Sequence, residues 1–268
     1  MIALDLARGA GQLYIMLFSR TKPPVEREEY EWLLACFAWL RTVLDDADIR
    51  PELVLPGNPE LSAARTASEL FDAVKRLAGM EEWVCRLERF DAPTRPSDPR
   101  IVTEVSDAAV GTFSVVDEEV VIRYSSAMLH QPEALAATFA HELCHYLLVN
   151  AGDPPGGPDL LEHAIDCAAV YIGFGVLLAN SARTFEQWND GEWSGWQSSA
   201  SGYLSEQALV TATAMFTALH DYPWEQARDA LKPYLQGDLK KAAAAVRKDH
   251  PDFKAALKSV DLLQWRYA

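Results

Sequence analysis

Residues 111–148, GTFSVVDEEVVIRYSSAMLHQPEALAATFAHELCHYLL, change their hydrophobic period once, and that change decides the fold class. Gly111 to Tyr124 holds two short runs rich in Val, Ile, Thr and aromatic residues on either side of Asp117-Glu118, the pattern of a β-hairpin. From Pro132 the spacing turns helical. Pro132 and Glu133 stand where a helix N-terminus favours them, the apolar pattern runs to Leu148, and Asn150 and Gly152 supply the stop.

Working outward, a breaker-rich loop (GDPPGGPD, residues 152–159) precedes a second long helix from about Leu160 to Ala182. Its apolar run, Cys167 to Ala179, falls short of the ~18 to 20 residues that span a bilayer and reads as a buried core helix. Further helices are expected at about 204–220, 224–235 and 238–249. Upstream, residues 26–49 carry Tyr30, Leu33, Leu34, Phe37, Leu40, Val43 and Leu44 at helical spacing, and residues 60–78 repeat that pattern after Pro56-Gly57-Asn58-Pro59. The stretch DAPTRPSDPR, residues 91–100, is the best internal boundary. It separates an N-terminal helical region, 1–100, from residues 101–268. The class is α+β, mostly helical with a small antiparallel sheet.

The helix after the hairpin carries His141-Glu142-Leu143-Cys144-His145, an HExxH motif. Histidines at i and i+4 project from one face and can share a tetrahedral metal, while Glu142 can reach a water on that metal. A catalytic zinc takes three protein ligands and keeps one position open, so a third ligand is needed downstream. The next helix offers Glu162, His163 and Asp166. Glu162 and Asp166 share a face, which favours Glu162 as the ligand and Asp166 as the acceptor that fixes the tautomer of a ligating imidazole. His163, about 100° around the helix, competes for the third position, and Asp166 is a further alternative. The bland reading of the whole set is a metal-free helix pair with a salt-bridged histidine cluster.

His141-Glu142-x-x-His145 with Glu162-x-x-x-Asp166 resembles the gluzincin pattern of thermolysin-like zinc metallopeptidases. The chain also resembles a bacterial family of unassigned function whose marks here are Thr138 to Leu148, Glu162 to Gly175, Ala179 to Ala182 and Gly202 to Glu206 (GYLSE). The gluzincin resemblance implies a zincin-like active-site helix in a metallopeptidase region at 101–268. It implies Zn²⁺ on His141, His145 and Glu162, Glu142 as general base, and hydrolysis of a peptide bond. The pattern departs at Leu161, where thermolysin-like enzymes carry Asn, and no downstream motif identifies their transition-state histidine. Tyr203 is the candidate donor to the oxyanion, set against a tyrosine that merely packs near a helix start.

Thirty-nine acidic against 24 basic residues leave a net charge of −15, which excludes a nucleic-acid binder of the ordinary basic kind. From residue 232 onward the balance reverses to +4, with Lys and Arg interleaved with Ala and Leu as on solvated terminal helices. Cys36, Cys85, Cys144 and Cys167 show no CxxC spacing, which fits a reducing, cytoplasmic setting. The N-terminal apolar run, Tyr14 to Phe18, is too short for a signal peptide. Cys144 reads as helix packing rather than a nucleophile. The strand Val120 to Tyr124 offers an edge for an extended substrate or is an ordinary sheet strand, and Trp188 to Trp196 (WNDGEWSGW) is a packed loop or a substrate rim.

The sequence therefore points to a zinc-dependent peptidase with a protein or peptide substrate, no nucleic acid and no membrane. A narrower version, a regulatory protease that cleaves one partner, resembles the small intracellular HExxH proteases that control repressors. The alternative class is a non-catalytic protein-binding module stapled by zinc, which would carry a fourth protein ligand such as His163 or a cysteine.

Overall fold

The hairpin forms from the two Val-rich runs on either side of Asp117-Glu118. In a computed structural model describing residues 22–44, 50–91, 111–116, 119–186 and 204–265, strand β2 (Gly111–Val116) pairs antiparallel with β3 (Glu119–Ser125), from Gly111 opposite Tyr124 to Val116 opposite Glu119. A strand not expected from the sequence, β1 (Arg86–Phe90, RLERF), adds parallel to β3, with Arg86 opposite Val121. The sheet is therefore mixed, in the order β1-β3-β2.

Charge hides β1 in the sequence. Arg86 bonds Glu119 at 3.2 Å and Glu88 bonds Arg123 at 2.8 Å across the ladder, while Leu87 is its apolar contribution opposite Ile122. Because β3 is central, Val120 to Tyr124 has no open edge, which corrects the expectation that an extended substrate pairs with it.

A 3₁₀ turn, Ser126–His130, leads into α4 (Pro132–Leu148), at the predicted limits. Ala134 to Cys144 are all buried, and the alanines among them let neighbouring helices approach on several sides. The second long helix is interrupted: α5 (Leu161–Ala169) passes through a π-helical turn, Val170–Phe174, into α6 (Gly175–Glu186). Gly173 causes the break, with φ +103°, its carbonyl accepting from the Val54 N–H at 3.0 Å. By length and composition the span 158–182 could cross a membrane, yet its apolar window is 94% buried inside the protein.

Upstream, α1 (Arg27–Val43) buries Trp32, Leu33, Cys36, Phe37 and Leu40 in the same core as α4 and α5. The predicted helix at 60–78 is two helices, α2 (Pro59–Ala63) and α3 (Ala67–Leu77). Thr66 and Glu69 form a reciprocal capping box that restarts the helix. Downstream lie α7 (Glu206–Leu219), α8 (Trp224–Ala230), α9 (Pro233–Asp249) and α10 (Phe253–Lys258). The break between α8 and α9 falls earlier than the spacing suggests, because Pro233 opens α9 and Gly237 is accepted inside it. The architecture is α+β, mostly helical with a small sheet and a zincin-like motif helix.

Candidate metal centre

Two adjacent helices build the site. The i, i+4 spacing on α4 stacks His141 and His145 one turn apart, and their Nε2 atoms lie 3.3 Å from each other. Glu162, at the start of α5, brings Oε2 to 3.4 Å from both. Corners of a regular tetrahedron with a centre-to-corner distance of about 2.05 Å are about 3.35 Å apart, and that radius is the bond length zinc makes to His nitrogen and carboxylate oxygen. His141, His145 and Glu162 thus occupy three corners of a zinc-sized tetrahedron. Among the described residues they are the group whose donor atoms converge closely enough to hold a metal ion.

Asp166, one turn beyond Glu162, stands behind the cluster. Its Oδ1 accepts from His141 Nδ1 at 2.8 Å, both groups being buried, which turns Nε2 toward Glu162. Its Oδ2 accepts from the Leu204 N–H at 2.9 Å. His163 faces elsewhere, edge-on to the Trp32 indole with ring centroids 6.2 Å apart, and is not among the converging donors. Trp32 Nε1–H in turn donates to the Pro155 carbonyl at 2.8 Å, tying α1 to the loop before α5.

The charges favour a cation. Burial works against protonating His141, but bonds to Asp166 and Glu162 and the charges of Asp166 and Glu142 outweigh it and lift the imidazole to about 10. Burial would likewise raise Glu162, yet its bonds from His141 and His145 hold the carboxylate well below its ordinary range. Glu142 is buried and raised, mainly by desolvation, against the opposing influence of the two histidines. The surrounding carboxylates make the cluster a favourable place for positive charge, and the two-imidazole, one-carboxylate donor set suits zinc.

Cys144 carries no thiolate: burial first, then Asp166 and Glu142, push its thiol well above the ordinary value. Tyr203 and the Trp188 to Trp196 loop lie outside the described residues. Two contributors escaped the sequence reading. Phe113 on β2 lies nearly parallel to the His145 imidazole, 5.9 Å between centroids and 12° between planes. Its place in the hairpin was readable, but the helix it would face was not. The Leu204 amide is a backbone group and has no signature in sequence.

No family model, no curated protein and no solved structure matches this chain. The HExxH spacing and its downstream glutamate are those of a zincin site.

Proposed function

We propose that the chain is a gluzincin-type zinc metallopeptidase acting on a protein or peptide in the cytoplasm, with His141, His145 and Glu162 as ligands. The observation that carries this reading is the three-cornered tetrahedral cluster with Glu142 next to one of its ligands in sequence. A closed structural zinc site has four protein ligands, and His163, the candidate fourth, packs edge-on to Trp32 instead, which favours an enzyme over a stapled binding module.

Bound there, zinc supplies a Lewis acid that acidifies water and polarises a carbonyl. Glu142 accepts the proton of the attacking water and returns it to the leaving amine, a task suited to a carboxyl raised by burial. Asp166 holds His141 in one orientation and tautomer throughout. Tyr203, bonded through its carbonyl carbon to the Leu204 nitrogen that Asp166 anchors, is the candidate oxyanion donor. Its role reads out as a loss in kcat with KM kept on Tyr203→Phe.

The test is zinc content and peptide cleavage in wild type, Glu142→Gln and Glu162→Gln. About one zinc per chain, retained without cleavage in Glu142→Gln and weakened in Glu162→Gln, is the expected result. Wild type without zinc, or zinc indifferent to Glu162, overturns the assignment. Zinc at full occupancy with no cleavage of a random peptide library or of casein leaves only a protease restricted to one partner, or the binding module.

A further inference from the structure

Resting on the metal-centre reading, we infer that the backbone N–H of Leu204 is a positioning donor of that centre, so that metal occupancy and the seating of the chain entering α7 are linked. Asp166 stands between two donors on different elements: the His141 ring on α4 at 2.8 Å and the Leu204 amide at 2.9 Å. Asp166 and Leu204 are each only 4% exposed. A carboxylate with one donor can swap oxygens by rotating its terminal torsion. Two fixed donors, one on each oxygen, set its plane, and through that plane the direction of the imidazole Nε2.

The second donor is itself held firmly. Immediately after Leu204, Ser205 caps α7, its hydroxyl accepting from the Ala208 N–H at 3.1 Å, and the Leu204 side chain lies in the core. The amide therefore reaches Asp166 from the residue before the α7 N-cap, 38 residues away in sequence, rather than from the helix that carries Glu162. Because coupling between sites is reciprocal, a cation that orders His141 and Asp166 tightens the Leu204 bond, and loosening that bond weakens the cation's hold.

Two variants separate the amide from the side chain. Leu204→Pro removes the N–H and keeps much of the apolar bulk; Leu204→Ala keeps the N–H and trims the bulk. With zinc as the probe and a chromophoric chelator as competitor, Leu204→Pro is expected to bind 10- to 100-fold more weakly than wild type, and Leu204→Ala within about threefold. The visible spectrum of the cobalt-substituted protein should shift in Leu204→Pro and not in Leu204→Ala. In the wild-type full chain, the Leu204 amide should exchange with deuterium more slowly in zinc than in EDTA.

Equal zinc affinities in the two variants overturn the inference and leave the metal centre standing; wild type that binds no zinc removes both. If circular dichroism shows Leu204→Pro unfolded, the wild-type exchange experiment decides, and a Leu204 amide indifferent to zinc overturns the inference.

Discussion

His141 Nδ1 and Asp166 Oδ1 lie 2.8 Å apart, both nearly excluded from water, on helices whose contact the HExxH motif alone does not specify. The two groups facing Asp166 are both donors, so an amide in its place must leave one of them against an NH₂ group. Asp166→Asn is therefore expected to cost 10- to 100-fold in zinc affinity while the fold survives, measured by chelator competition beside circular dichroism. An affinity unchanged in this variant would mean that His141 is oriented by something else.

Phe113 covers one face of the His145 imidazole and also approaches Tyr146, which packs edge-on against Trp83. Packing of this kind sets a ligand's rotamer as effectively as a hydrogen bond. Phe113→Ala should lower stability by about 1 to 3 kcal/mol and weaken zinc binding a few-fold, with Phe113→Leu intermediate in both. A loss of stability with zinc affinity intact would reduce Phe113 to an ordinary core residue.

The site was legible in sequence because its chemistry is local. HExxH needs one helical turn, and Glu162 and Asp166 need another, so periodicity alone puts four of the participants on two faces. Leu204 and Phe113 were not legible, since each reaches the cluster through tertiary packing that no spacing encodes. The helices at 132–148 and from about 160 to 182 stood out through apolar repeats and terminal Pro or Gly, whereas the π-helical break in the second and strand β1 did not. Its ladder consists largely of Arg and Glu that pair across strands, so its stability comes from β3 rather than from its own residues.

Among the described glycines, Gly173 is the least able to change. A Cβ there would stand 1.9 Å from the Glu52 carbonyl oxygen, and φ +103° excludes other residues in any case. Gly173→Ala should destabilise by about 3 kcal/mol or more, or prevent folding, by breaking the Val54 contact that straps residues 50–55 over the π-helical turn. Gly237, inside α9 with open space around it, is the opposite case. Gly237→Ala should stabilise by about 0.5 to 1 kcal/mol in thermal melts. A Gly173→Ala protein that melts close to wild type would show that the turn at 173 tolerates rearrangement.

Two buried groups outside the candidate metal cluster bend the pH dependence of stability in opposite directions. Desolvation, with Glu26 nearby, lifts the Glu29 carboxyl from 4.5 to about 7. A folded value above the unfolded one gives stability that is complete below about 4.5 and is lost as pH rises through 7. His220, packed against Phe216 and Tyr171, falls from 6.5 to about 4, first through burial and then through Lys254 and Arg50. Its contribution is present above about 6.5 and is lost as pH falls through 4. Glu29→Gln should therefore raise stability at pH 8 by about 1 to 2 kcal/mol and leave pH 4.5 unchanged. That gain is below the full conversion of about 1.4 kcal/mol per pKa unit, because partial hydration screens the carboxylate. His220→Phe should flatten the acid limb between pH 6.5 and 4, whatever its effect at neutrality. Melting curves across pH 4 to 9, taken in EDTA so that zinc linkage does not contribute, check both; an alkaline limb unaltered in Glu29→Gln would show that Glu29 ionises freely in the folded protein.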